Sequence, residues 1–192
     1  MLQPLQNAEL FLVSTFFDFV LIIFMLRFLL AFVRADFYNP ITQFVVKCTK
    51  RIINPLKKII PNYRNIELST LLIIIVLDLL KFFLISAIAV GLPKHTVGIL
   101  IMAFADTFKL LLNTLFFAIL LQAILSFIQQ GYSPVSRVLQ QVTGPLLRPF
   151  QRIMPLVGGF DLSPLPVLVI LQLLIILVVE PLLQLGMGIA FG

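Results

Sequence analysis

The sequence predicts an all-α membrane protein. Four transmembrane helices form two parallel tandem repeats, and each repeat carries an amphipathic helical segment between its two spans. Three observations carry this reading: an apolar composition, four long apolar runs, and a loop that occurs twice at a constant offset.

Of 192 residues, 60% are hydrophobic and 11% charged. Soluble domains hold about 25% charged residues and roughly 45–50% apolar ones. The solvent of this chain is therefore expected to be lipid. With roughly 20 residues per span, four spans and short connections use the whole length. No room is left for a separate soluble catalytic domain.

The four runs cover about 10–33, 68–91, 97–128 and 165–190. Each exceeds the ~18 residues that mark a spanning helix. Residues before the first run carry no Lys or Arg. That run is too long for a signal-peptide core, so it is expected to be a retained span. The third run is longer than a bilayer needs, so it should tilt or begin at the interface.

Two loops separate the runs pairwise, Arg34 to Glu67 and Gln129 to Asp161. They hold ten of the fourteen Lys and Arg residues, seven in the first and three in the second. The connection between spans two and three offers Lys94 alone. The positive-inside rule puts both loops on the cytoplasmic side of an inner membrane and both termini in the periplasm.

Shifting the first loop by 94 superimposes eight identical residues without a gap, among them Tyr38/Tyr132, Pro40/Pro134, Thr49/Thr143, Pro55/Pro149 and Pro61/Pro155. Both copies begin and end on the same side, so the repeat is parallel, with units 1–95 and 96–192. Within each loop a segment, 40–60 and 134–155, alternates apolar and polar residues at helical spacing. Ile41, Phe44, Val45, Cys48, Ile52, Leu56 and Ile59 form the first stripe. Val135, Val138, Leu139, Val142, Leu146, Phe150 and Ile153 form the second. Lys47, Lys50, Arg51, Lys57 and Lys58, and Arg137, Arg148 and Arg152, supply the cations. Such a helix lies in the headgroup plane of an anionic leaflet. Lipid is the expected partner, with a membrane protein or a second copy as further possibilities, and nucleic acid is not expected. Pro55 is expected to break the first segment, with Asn54 capping a new helix. Gly144-Pro145 and Pro149 should make the second more irregular. Glu67-Leu68-Ser69 and Asp161-Leu162-Ser163 read as helix starts, with an ion or headgroup site at the span mouth as the functional alternative.

Charges inside the runs are functional candidates by default. Arg27 lies near a span end and can snorkel. Asp18, Asp78 and Glu180 are deep. Asp78 and Lys81 stand three apart and can pair, a spacing that Asp106 and Lys109 repeat. Either these are self-neutralising pairs that help helices associate, or Asp18, Asp78, Lys81 and Glu180 line a path for a cation or proton. Glu180-Pro181 should kink the last span.

One cysteine, Cys48, and one histidine, His95, leave most catalytic and metal-binding schemes without parts. Cys48 is expected on the buried face of its segment. No phosphate-cradling loop or nucleophile–base pair is present, so no cofactor and no enzymatic activity are expected. Gly158-Gly159 reads as a turn.

Two stretches carry a resemblance. Arg34-Ala35-Asp36-Phe37-Tyr38-Asn39-Pro40 opens the first loop. Pro145-Leu146-Leu147-Arg148-Pro149-Phe150-Gln151-Arg152-Ile153-Met154-Pro155, followed by Gly158-Gly159-Phe160-Asp161-Leu162-Ser163-Pro164, closes the second. Together they resemble the YggT family in its two-repeat, Gram-negative form, over nearly the whole chain. The first copy departs after Pro61. The resemblance implies a membrane protein without an agreed enzymatic activity, linked to osmotic and potassium tolerance, cell division or cytochrome-complex assembly. Two functions follow as expectations: a non-enzymatic organiser acting through its basic segments, or a small cation conductor acting through its deep carboxylates.

Overall fold

A computed structural model of the chain describes residues 2–89, 91–128, 133–154 and 161–192. Among these residues the architecture is wholly helical. The helices are α1 (Leu2–Phe32), α2 (Pro40–Lys57), α3 (Leu68–Ala89), α4 (Thr96–Ile128), α5 (Pro134–Ile153), α6 (Pro164–Leu174) and α7 (Glu180–Phe191). A π-helical turn, Ile175–Val179, joins α6 to α7. Four helical stretches are long and apolar enough to cross a membrane: Gln3–Phe32, Leu68–Ala89, Thr96–Ser126 and Pro164–Phe191. The repeat positions Tyr132 and Pro155 and the Gly158-Gly159-Phe160 turn lie outside the described residues.

The first span begins eight residues earlier than the apolar run. Gln3, Asn7 and Glu9 continue the helix exposed, while the half-buried Gln6 side chain donates to the Ile88 carbonyl at 2.5 Å, tying the start of α1 to the end of α3.

Both loop helices start on a cap and a proline. Asn39 accepts the Ile41 N–H at 2.9 Å ahead of Pro40. Ser133 and Ser136 form a reciprocal capping box around Pro134. Proline at the first helical position needs no N–H partner, so both starts are pre-set.

Two expectations about these helices are corrected. Pro55 does not break α2, nor do Pro145 and Pro149 break α5; all three lie inside continuous helices. Each is on the exposed side, where water or headgroups can satisfy the freed carbonyls, and Pro55 falls in the last turn. The buried line of α2 is Thr42, Val45, Thr49 and Ile53. Phe44 (63% exposed), Ile52 and Ile59 are turned outward, and Cys48 is exposed rather than buried. The apolar stripe read from the sequence is therefore split between protein and surroundings. In α5 the stripe holds better, since Val138 and Val142 are buried, with Thr143 and Leu147 alongside.

The core has two main centres. One joins α1, α3 and the inner faces of α2 and α5 around Leu21, Met25, Ile53 and Ile74. The other joins α4 to α6 and α7 around Ile119, Leu147, Leu171 and Val179. At the opposite end of α4 the backbones of α4 and α7 touch. A Cβ on Gly98 would stand 2.3 Å from the Ala190 nitrogen, and one on Gly186 would stand 2.9 Å from the Gly98 carbonyl. Small residues let membrane helices approach this closely. Gly98→Ala should therefore cost about 1–3 kcal/mol, the usual range for overpacking. Gly188→Ala, with nothing within 4 Å of its Cβ, should be neutral. Unfolding in mixed micelles compares the two.

The irregularity expected at Glu180-Pro181 occurs one turn earlier. The Glu180 N–H reaches the Ile175 carbonyl, five residues back. This wider turn makes room for the Pro181 ring, which would otherwise press on the carbonyl four residues before it.

Candidate functional site

Three groups of polar residues stand out, each assembled from several helices. The first lies where α1, α2 and α3 meet. The Arg27 guanidinium is 6% exposed. Its Nε donates to Glu67 Oε2 at 2.9 Å, and a second nitrogen donates to the Thr49 hydroxyl at 2.8 Å. Lys57 also pairs with the Glu67 carboxylate, and the Thr70 hydroxyl donates to it. Burial alone would raise the Glu67 pKa. The hydrogen bonds from Arg27, Lys57 and Thr70 outweigh it and hold the carboxyl at about 2.

This cluster corrects three expectations. Arg27 does not snorkel; it is the buried centre of an ion pair. Glu67 is not a simple helix cap, because its carboxylate is used by cations from α1 and α2. Lys57 is drawn inward, away from the cationic surface. The matching place in the second half is arranged differently. Thr143 donates to Gln122, and Asp161 accepts from Gln151 and from the Ser163 N–H. Burial works against the Asp161 charge, but these bonds hold its pKa below the ordinary carboxylate value. The acid closes a turn just ahead of α6, whose N-cap, Ser163, makes no side-chain cap hydrogen bond.

The second group lies within the spans. Lys81 Nζ bridges Asp18 and Asp106, each at 2.8 Å. Asp78 is fully buried and accepts a 2.6 Å hydrogen bond from Thr107, while its other oxygen has no partner. Lys81 therefore pairs across helices and not with Asp78, its neighbour three residues away. Asp18 and Lys81 line a lateral cavity of about 630 Å³ between α1 and α4, together with Asp106, Lys109, Asn113 and Phe117. Glu180 does not face this cavity; it is exposed on α7. Of the four residues expected to share a path, Asp18 and Lys81 are in contact, Asp78 is one turn from Lys81 on α3, and Glu180 is apart.

The third group is the surface of α2 and α5. Lys47, Lys50, Arg51, Lys58, Arg137, Arg148 and Arg152 are all exposed. The N-terminal ends of the two helices meet: Asn39 donates to the Pro134 carbonyl at 2.8 Å, the Asp36 N–H donates to Gln141, and Arg137 lies 3.5 Å from Asp36. Arg137 and Arg148 then flank a shallow cleft of about 460 Å³ with Gln140 and Gln141.

The model of the CCB3/YggT family matches the chain twice, over residues 6–88 and 101–182. The chain belongs to the CCB3/YggT family. Named relatives agree. YggT of Escherichia coli K12 is 38% identical over 93% of this chain and 93% of its own length. A protein from the proC 3′ region of Vibrio alginolyticus is 42% identical over 87% of this chain and 91% of its own. One from Pseudomonas aeruginosa is 37% identical over 92% and 90%. All three are described as uncharacterised. No solved structure matches the chain. The first match covers most of α1 and α3 and all of α2; the second runs from within α4 through α5 and α6 to the first turn of α7.

Sequence reasoning singled out Asp18, Asp78 and Lys81 but missed Thr107 and the Arg27–Glu67–Thr49 network. One signal was available for the latter: Thr49 recurs as Thr143, a polar residue kept within an apolar stripe.

Proposed function

We propose that this CCB3/YggT protein is a non-enzymatic inner-membrane organiser, acting from the cytoplasmic leaflet through α2 and α5. The observation that carries the reading is the outer surface of α2 and the turn that follows it. It presents Phe44, Ile52 and, just past the helix, Ile59 to the surroundings beside the exposed cations Lys47, Lys50, Arg51 and Lys58. An apolar edge next to a cationic face suits the boundary between acyl chains and anionic headgroups. Each nearby cation adds about 1 kcal/mol of attraction to such a surface. α5 supplies Arg137, Arg148 and Arg152 in the second of two parallel units, and the N-terminal contacts hold the two helices as one platform. The excess of Lys and Arg on these loops supports a cytoplasmic location, with both termini periplasmic.

The reading is tested with a nitroxide on Cys48, the sole cysteine, which is exposed on α2. In vesicles containing phosphatidylglycerol the label should be shielded from aqueous relaxation agents and reachable by oxygen. The quadruple variant K47E/K50E/R51E/K58E should shift it toward water. A label wholly aqueous and indifferent to lipid charge would remove the basis for the proposal.

A second reading, cation movement, is favoured by one observation: the unpartnered oxygen of Asp78 beside the Lys81 bridge. Potassium flux in proteoliposomes separates the two. The organiser reading expects the wild-type rate to equal that of empty vesicles. Flux that Asp78→Asn abolishes would support the conductor.

A further inference from the structure

We propose that Lys109 and Glu180 form the ion pair of a self-association interface, Lys109 of one copy meeting Glu180 of a second copy within the membrane.

Apart from Glu9, exposed near the start of α1, every other charge within the spans is accounted for. Lys81 holds Asp18 and Asp106, Thr107 holds Asp78, and Arg27 holds Glu67. Among the described residues Lys109 and Glu180 have no ion-pair partner. Lys109 is half-buried at the edge of the lateral cavity and Glu180 is exposed. An ionised side chain left facing lipid is unfavourable, and such residues characteristically pair or face the interior of a bundle.

The two lie at one depth. Gly98 on α4 and Ala190 on α7 are in backbone contact. Lys109 follows Gly98 by eleven residues and Glu180 precedes Ala190 by ten. At 1.5 Å per residue these are about 17 Å and about 15 Å from the same crossing.

Neither faces the apolar cavity beside α4 and the last span, which Phe104 and Phe108 of α4, Val178 of the π-helical turn and Leu182 of α7 line. Lys109 lines the lateral cavity between α1 and α4 instead. Glu180 is two residues from both Val178 and Leu182, so at about 100° per residue it points away from them. A copy related by a two-fold axis along the membrane normal would present Glu180 to Lys109 and Lys109 to Glu180, a self-complementary contact. The charges are opposite in sign and alike in depth, and a second copy supplies them without any other protein. This proposal is independent of the headgroup reading of α2 and α5.

The test uses the full chain with Cys48→Ser in phosphatidylethanolamine–phosphatidylglycerol vesicles. Copies carrying Lys109→Cys and Glu180→Cys bear different tags and are mixed before oxidation. A disulfide-linked dimer with both tags is expected, and Val169→Cys, exposed on α6 at a different depth, should not replace Glu180→Cys. By energy transfer between labelled copies, Lys109→Glu or Glu180→Lys alone should lower the association constant by about tenfold or more. The double swap K109E/E180K should restore it. Cross-linking confined to one chain carrying both cysteines would overturn the proposal, as would single charge changes that leave association unaltered. Both positions lie outside the packed core, so the variants should fold.

Discussion

Replacing Arg27 with Leu should destabilise the helical bundle by about 3–5 kcal/mol, the range for removing one partner of a buried ion pair. The loss is not the worth of the pair. It arises because Glu67, 5% exposed, keeps its charge while losing its bidentate partner, and because the Thr49 hydroxyl loses the guanidinium that donates to it. Lys57 remains, but it is a third exposed and held on a flexible stem. The double variant R27L/E67L should recover much of the loss, since apolar replacement of both partners is often neutral. Unfolding in mixed micelles against denaturing detergent measures all three proteins. Equal damage from the single and double variants would mean that the loss comes from the contacts of Arg27 itself and not from an unpaired Glu67 charge.

The same cluster predicts a pH dependence. Folding holds the Glu67 carboxyl at about 2, against an ordinary value of 4.5. A depressed carboxylate pKa contributes stability that is complete above the unfolded value and lost as pH falls through the folded one. The contribution should therefore be level above pH 4.5 and decline toward pH 2. The total is about 3 kcal/mol, since each tenfold change in proton affinity corresponds to about 1.4 kcal/mol. Glu67→Gln should flatten this part of the profile, while Asp161→Asn, at the corresponding place in the second half, should leave most of it.

The sequence disclosed what depends on one helix at a time. Four spans follow from apolar length. The starts of α2 and α5 follow from a cap and a proline at Asn39-Pro40 and Ser133-Pro134. What depends on helix rotation was not legible. Pro55 reads as a break until its exposed side is known, because only there can its freed carbonyl find another partner. Cys48 belongs to an apolar stripe, but that stripe is wider than the line α1 and α3 cover, so Cys48 faces out. Lys81 has a carboxylate three residues away in Asp78, and spacing alone favours that pair. In the bundle two other helices bring Asp18 and Asp106 closer, and Thr107 takes Asp78 instead. Spacing along one helix lists the candidates; which one is used is decided by neighbours distant in sequence.

That choice makes Lys81 the most consequential residue of the membrane layer. Lys81→Met should cost about 3–5 kcal/mol, because it leaves two carboxylates with no cation between them. The three acids of the layer should respond differently. Asp18 is 53% exposed and Asp106 19%. Asp18→Asn leaves Lys81 paired with Asp106, so it should cost about 1 kcal/mol or less, as for partly solvated pairs. Asp106→Asn removes the more buried partner and should cost more. Asp78→Asn keeps an acceptor for Thr107 and replaces the unpartnered carboxylate oxygen with a neutral amide group, so it should be tolerated. The expected order of loss is Lys81→Met, then Asp106→Asn, then Asp18→Asn and Asp78→Asn. Adding D18N and D106N to K81M should restore stability, since the repulsion between the orphaned acids is then gone. If K81M is as stable as the wild type in lipid, the bridge does not hold α1, α3 and α4 together, and the layer's charges serve something other than assembly.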